Sequence, residues 1–352
     1  MALKKCLRRV INQLKETIAP GRITDDGELT LAMAHALIDS AHFPREKVAV
    51  NYRQWLQSKP FDVGRTTYAA LSGAALLDNS VAEAVSHRAA IHNMQSESNG
   101  ALMRSSALGV WSTRLTREQT VEAAIADTRL THPNFSCQWV RAVYVVAIRH
   151  LLLNSGDAQG AFAQAKEVLA CSSEDQSAEV TSWLINAETG NLPSGRSNIG
   201  FVRIAFTHAM HHLLCRTPFV DALQQVLSCG GDTDTNACIV GGLVGARVGI
   251  NEIPSHMTQA VLQCNTGAGR PRPEWLSTRN PMEIACLLVR YASSAQFEEK
   301  KTIPTNPHIV RVSQEVFSVN RMSGLCTAAL KLLSLRVELG RKARLLSTDC
   351  QC

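Results

Sequence analysis

An all-α fold is the architecture this sequence predicts, and three observations predict it. Apolar residues recur at helical spacing along most of the 352-residue chain, strand-like alternation is scarce, and the apolar content is aliphatic, with 45% hydrophobic residues but only 5% aromatic ones. A chain of this length buries a substantial core as one large domain or as two.

Taken in order, residues 1–20 set Lys4, Lys5, Arg8 and Arg9 among Leu7, Val10, Ile11 and Leu14. That pattern predicts an amphipathic basic helix, which a mitochondrial presequence would also show, and it lacks the continuous apolar centre of a secretory signal. Thr24-Asp25-Asp26 then precedes a helix with Leu29, Ala32, Met33, Ala36 and Leu37 at helical spacing. The polar run from Ser96 to Arg104 leads into a short apolar helix around Ala107 to Trp111. Thr131-His132-Pro133 reads as a corner between two helices, because proline cannot continue one and suits the start of the next. Val140, Val143, Tyr144, Ala147, Ile148, Leu151 and Leu152 make one stripe, and Phe201, Ile204, Ala205, His208 and His212 another. Gly230-Gly231-Asp232-Thr233-Asp234-Thr235 opens the next helix, where Ile239, Val240, Leu243 and Val244 alternate with Gly241, Gly242 and Gly245 that permit close approach. Thr266 to Pro273 is a Gly- and Pro-rich loop, and Pro304 and Pro307 break the chain again. A basic helix is expected from about Ser323 to Leu346, with Leu325, Ala329, Leu332, Leu333 and Leu339 on its apolar side. The expected organisation is a basic N-terminal segment, 1–20, an all-α domain, 21–280, and a basic, partly helical C-terminal extension, 281–352.

Composition narrows the function classes. No segment reaches the roughly 18 uninterrupted apolar residues of a membrane helix, so no membrane partner is expected. The net charge of +6 is modest and its excess gathers in the C-terminal tail, which argues for an ordinary docked helix over a nucleic-acid surface. The 11 cysteines are scattered without metal-like pair spacing, favouring reduced thiols and a cytoplasmic setting. Without coiled-coil heptads, a monomer is expected. No Gly-x-Ser-x-Gly elbow is present, so nucleophilic serine chemistry has no support.

The chemistry lies in the two acidic runs. A helix cap needs one side-chain oxygen, whereas Gly230 to Thr235 supplies two carboxylates and two hydroxyls after a flexible Gly pair. An EF-hand is the nearest alternative, with Asp232, Asp234 and Asn236 at its first, third and fifth positions, but Ala237 stands where its glycine belongs and Leu243 where its bidentate glutamate belongs. Oxygen donors alone point to Mg²⁺, Mn²⁺ or Ca²⁺ over zinc. If the runs meet, Asp25, Asp26, Asp232 and Asp234 carry enough charge for two dications, since buried unpaired carboxylates are costly. A zinc site at His208, His211 and His212, spaced i, i+3 and i+4, is weaker than packing at a helix interface. The small residues of the run from Ser96, with free backbone N–H groups leading into a helix, make a phosphate cradle.

These clusters, in this order, resemble the ADP-ribosylglycohydrolase family: Thr24-Asp25-Asp26 with its helix, Ser98-Asn99-Gly100 through Met103-Arg104, Thr131-His132-Pro133, and Gly230 to Thr235 with Gly241, Gly245 and Ala246. The resemblance covers roughly residues 21 to 280. It implies a compact multi-helix orthogonal bundle binding two Mg²⁺, or Mn²⁺, at the bottom of a cleft. It implies Thr24, Asp25, Asp26, Asp232, Asp234 and Thr235 as metal ligands, and Ser96, Glu97, Ser98, Asn99, Gly100, Met103 and His132 as substrate-binding residues. The expected substrates are ADP-ribosylated protein side chains or small ADP-ribose conjugates. Hydrolysis at the anomeric carbon passes through a transition state with positive charge on the sugar, so Asp25, Asp26 and Asp232 are the expected catalytic carboxylates, Asp25 or Asp26 deprotonating the attacking water.

One departure stands out. The family pattern has a small-residue helix and a metal-reaching glutamate before the Thr-Asp-Asp run, and here about twenty basic, amphipathic residues occupy that place. Glu28 is close by in sequence but one helical turn inward. A catalytically impaired ADP-ribose-binding protein, or a crystallin-like structural member of the family, is therefore the alternative expectation.

Overall fold

Thr24 and Asp232 each occupy the position just before a helix, yet neither side chain caps it. Elsewhere in the same chain capping residues do their ordinary work. Thr116 accepts from the Gln119 N–H within a full capping box, and Asn134 accepts from both Ser136 and Cys137. The side-chain oxygens of Thr24 and Asp232 are thus not spent on capping their own helices.

The computed structural model describes residues 21–73, 80–172, 174–267 and 270–289. The expected helices in 1–20 and 323–346 lie outside the described residues. Among the described residues α-helices follow one another as α1 (Asp25–Leu37), α2 (Arg45–Gln57), α3 (Arg65–Leu71), α4 (Val81–His92), α5 (Ser106–Trp111), α6 (Arg117–Thr131), α7 (Phe135–Leu153), α8 (Ala158–Ala170), α9 (Glu174–Thr189), α10 (Val202–Leu214), α11 (Phe219–Ser228), α12 (Thr233–Val248) and α13 (Ser255–Leu262). A further helix spans 281–289. A 3-10 turn, Asn99–Arg104, precedes α5. Among the described residues there is no strand; Ser98 and Phe201 form one isolated antiparallel bridge. The all-α expectation holds, and no described helix is long and apolar enough to cross a membrane.

α7 is the central post. Its stripe of Val140, Val143, Tyr144, Ala147, Ile148 and Leu151 is buried, and α6, α8, α9, α5 and α12 pack around it. Gly242 lets α12 come close, since a Cβ there would stand 2.6 Å from the Tyr144 hydroxyl, which itself donates to Ile239 O at 2.7 Å. α2, α8 and α11 show the core one face because apolar positions spaced three and four apart share a side, whereas α1 and α12 are buried along most of their length.

Two buried ionic groups lock this packing. Glu28 receives Arg272 Nε and Nη2, both at 2.8 Å, and the Trp55 indole N–H, also at 2.8 Å, tying α1 to α2 and to the loop after α13. Asp127 on α6 accepts from Tyr52, from Arg104 and from Arg141, all fully buried. Burial opposes ionisation of Asp127, but the Arg141 and Arg104 guanidiniums outweigh it and hold the carboxyl below its ordinary range.

Histidines 208, 211 and 212 follow the packing expectation. Their rings bond Pro193 O, Ala187 O and the Thr217 hydroxyl, and among the described residues no three His, Cys, Asp or Glu side chains are grouped closely enough to hold a metal by themselves.

Candidate active site

The 3-10 turn Asn99–Arg104 lies between the two acidic helix starts, packing on α1 from one side and on α12 from the other. Asn99 is the hinge of the site. Its backbone N–H donates to Gly200 O at 2.9 Å, and its Nδ2 donates to Asp232 Oδ2 at 2.9 Å, with Asn236 Oδ1 more distant at 3.5 Å. Gly200 completes this corner, a Cβ there falling 3.6 Å from Asp232 Oδ2.

Asp232 senses both runs. Its carboxyl is pushed up to about 6, first by burial and then by the charges of Asp234 and Asp26, while the hydrogen bond from Asn99 pulls the other way. Asp26 comes from α1, far back in the chain, and α1 and α12 both pack on the Asn99–Arg104 turn, so the two acidic segments border the same turn. On that side the Thr24 hydroxyl donates to Asp26 Oδ2 at 2.8 Å, and Thr30 donates to Asp26 O at 2.7 Å. Asp25, Asp232 and Asp234 are half-buried, while Thr24, Asp26 and Thr235 are buried. Desolvated carboxylates favour a cation beside them, and among the described residues these four do not by themselves form a group close enough to hold one.

The donor set of Thr24, Asp25, Asp26, Asp232, Asp234 and Thr235 is all oxygen and suits hard dications. A metal pair here rests on donor chemistry and charge, not on a closed cage of carboxylates.

Gly230 and Gly231 create the turn into α12, with φ of 76° and 77°. A Cβ on Gly231 would lie 1.9 Å from Gly195 O, so backbone meets backbone there. Gly231→Ala is expected to cost about 2–4 kcal/mol through φ strain and overpacking. Urea unfolding of the variant beside the parent checks this value.

The substrate-binding set divides. Ser96 and Ser98 are half-buried and linked through Thr66, whose Oγ1 lies 2.8 Å from Ser96 Oγ and 3.0 Å from Ser98 Oγ. Gly100 must be small, since a Cβ would fall 3.0 Å from His132 Nε2. Glu97 is half-buried, its carboxyl raised by burial and by Glu179 of α9, and its carbonyl receives the Val202 N–H. Met103 lies in the apolar core beneath the turn, 6% exposed. His132 is fully buried and reaches the loop through Ser98 Oγ, at 3.0 Å.

The cradle differs from its sequence reading in one respect. The N–H groups of Ser96 and Asn99 are engaged, by Asn93 O and Gly200 O, because the loop is pinned at both ends into the helical core. Besides its remaining N–H groups, this loop offers a ligand the hydroxyls of Ser96 and Ser98. Thr66, Asn236, Gly200 and Glu179 were not marked as site residues by sequence reasoning. Only Asn236, next to the second acidic run, carried a local signal.

This is an all-helical protein in which two distant helices with acidic starts both pack on one hydroxyl-bearing turn. A family model described as ADP-ribosylglycohydrolase matches residues 3–287, a wider span than the motifs alone. The chain belongs to the ADP-ribosylglycohydrolase family. It is 30% identical over 262 residues to a protein of Acanthamoeba polyphaga mimivirus that carries the name ADP-ribosyl glycohydrolase, covering 70% of this chain and 77% of that one. It is 25% identical over 246 residues to the ADP-ribosyl-[dinitrogen reductase] glycohydrolase of Rhodospirillum rubrum, covering 68% and 73%. Among solved structures, an ADP-ribosylglycohydrolase-related protein complex aligns with a TM-score of 0.57 at 20% identity, covering 78% of this chain and 83% of that one. That likeness speaks for the fold.

Proposed function

We propose that the chain is a metal-dependent hydrolase that releases ADP-ribose from ADP-ribosylated protein side chains or small ADP-ribose conjugates. The observation that carries this reading is the Asn99 turn, which packs on both α1 and α12 and holds Asp232 through Asn99 Nδ2 at 2.9 Å. Thr24, Asp25, Asp26, Asp232, Asp234 and Thr235 would hold two Mg²⁺ or Mn²⁺. Such ions, when bound, polarise ribose hydroxyls and lower the pKa of nearby water.

The side chains then have separate tasks. Asp25 or Asp26 orients a water and takes its proton as the water oxygen bonds to the anomeric carbon. The bond from that carbon to the leaving nitrogen or oxygen breaks with its electron pair on the leaving atom, which takes up a proton. The grouped carboxylates favour the positive charge that develops on the sugar. Asn99 holds Asp232 in orientation, and Ser96, Glu97, Ser98 and Gly100 face the diphosphate and its adjoining ribose, with His132 supporting Ser98.

A second reading has its own observation. Glu28, one helical turn into α1 beyond the Thr-Asp-Asp run, is committed to Arg272 and Trp55 and so is not free to reach a metal, which favours a protein that binds ADP-ribose without cleaving it. One experiment separates the two. The purified chain is incubated with peptides ADP-ribosylated on arginine or on serine, with and without Mg²⁺, and both released ADP-ribose and bound peptide are measured. Metal-dependent release is expected. Tight binding without release would move the assignment to the binding protein, and neither would refute both.

A further inference from the structure

Six polar groups run in one line from the buried core to the candidate ligand loop. Arg104 Nη2 lies 2.8 Å from Thr131 Oγ1, and Thr131 Oγ1 lies 2.7 Å from His132 Nδ1. His132 Nε2 is 3.0 Å from Ser98 Oγ, Ser98 Oγ donates to Thr66 Oγ1 at 3.0 Å, and Thr66 Oγ1 is 2.8 Å from Ser96 Oγ. Asn93 braces the line in the middle, its Nδ2 donating to Thr66 O at 2.8 Å and to Thr131 O at 2.9 Å.

The chemistry of the first member sets a direction. A guanidinium has donors only, so the Thr131 oxygen accepts from Arg104 and its own hydrogen is left for His132 Nδ1. The imidazole is neutral, because burial and the guanidinium charges of Arg104 and Arg141 all disfavour its cation. Its single hydrogen must then sit on Nε2 and point to Ser98 Oγ. Ser98 donates onward to Thr66, and Thr66, having accepted, donates to Ser96. At the end of the line the Ser96 hydroxyl hydrogen has no protein acceptor among the described residues.

We propose that Thr66 is a positioning residue of the site, the link through which the Arg104–His132 line turns the Ser96 hydroxyl outward as a donor to a phosphate oxygen of the ligand. This rests on the ADP-ribose reading given above. A hydroxyl is the one group that can accept from one serine and donate to another at this point, so a valine of the same shape breaks the line and a serine preserves it.

Two measurements test this. In the unliganded protein, long-range ¹H–¹⁵N spectra, with His132 assigned by its loss in H132Q, should show a neutral ring protonated on Nε2 at pH 7. A hydrogen on Nδ1, or an imidazolium, overturns the direction of the line. In titrations with ADP-ribose and Mg²⁺, Thr66→Val should weaken binding about ten- to a hundred-fold, the effect of losing a donor to a charged group, while Thr66→Ser should stay within about two-fold. Equal affinity of T66V and the parent, or a T66S variant as weak as T66V, overturns the positioning role. If the parent itself binds no ADP-ribose, the functional reading fails and the proposed ligand role falls with it, while the spectra still judge the line. If T66V does not fold, the spectra and T66S carry the test.

Discussion

Asp232→Asn is expected to lower ADP-ribose release by about 10²–10⁴-fold, the range typical of removing a group that acts on the reacting centre, and at the same time to stabilise the metal-free protein at neutral pH. The asparagine oxygen can still accept from Asn99, so geometry is kept and charge alone is removed. The sign of the stability effect follows from the carboxyl, which is pushed up to about 6 from its ordinary 3.8. Below the lower value the group is protonated folded or unfolded and contributes nothing. As pH rises from about 4 through 6, the folded state must hold a proton the unfolded chain has released, or ionise against Asp234 and Asp26, so stability falls. The full shift corresponds to about 1–3 kcal/mol at pH 7, with solvent screening at this half-buried position favouring the lower end. Melting curves in a chelator from pH 4 to 8 should fall with pH for the parent and fall less for D232N. Adding Mg²⁺ to about 100 times its dissociation constant should return about 2.7 kcal/mol to the parent and much less to the variant. Parallel pH profiles for the two proteins, or full release activity in D232N, would sink the assignment of Asp232.

Asp127→Ala is expected to cost about 5 kcal/mol or more, enough to unfold a domain of ordinary stability. Its carboxylate is the acceptor shared by two fully buried guanidiniums, and without it Arg104 and Arg141 face each other uncompensated. Tyr52 would lose its partner too. Replacing Arg141 by Met in the same chain should recover part of the loss, since it removes one of the stranded charges, and a double-mutant cycle measures the coupling. The pH dependence has the opposite sign to that of Asp232. Asp127 is held below 3.8, so its contribution is complete above that value and is lost as pH falls through the lowered one. A soluble D127A variant within about 1 kcal/mol of the parent, on the scale of an ordinary surface change, would show that this network is not what holds α2, α6 and α7 together.

The fold was legible because helices are written locally. The α7 stripe from Val140 to Leu151 and the α1 stripe from Leu29 to Leu37 repeat at three and four residues, and both are buried in the structure. The acidic runs were legible for a different reason. Thr24 and Asp232 look like caps, but each run holds more oxygen than a cap uses, and in the folded chain neither side chain caps its helix. The i, i+3, i+4 spacing of the His208 stripe suits packing better than zinc, and the ring bonds to Pro193, Ala187 and Thr217 agree with packing.

Other parts of the site had no local signature. Thr66 is one threonine at the start of a seven-residue helix, and nothing nearby in sequence says that its hydroxyl joins two serines thirty residues on. Asp127 is an acidic residue inside an otherwise ordinary amphipathic helix. Its partners come from α2, α7 and the turn before α5.

By itself, then, the sequence determined that this protein is built from helices and that two of their starts carry a surplus of hard oxygen donors, because both properties depend on residues within a few positions of one another. Tertiary structure alone decided that the 3-10 turn at Asn99 brings those starts together, that Glu28 is tied to Arg272, and that a line of hydroxyls runs from Arg104 to Ser96. Such pairings depend on how helices distant in the chain stack against α7, and burial selects partners by position in space, where no local spacing rule applies.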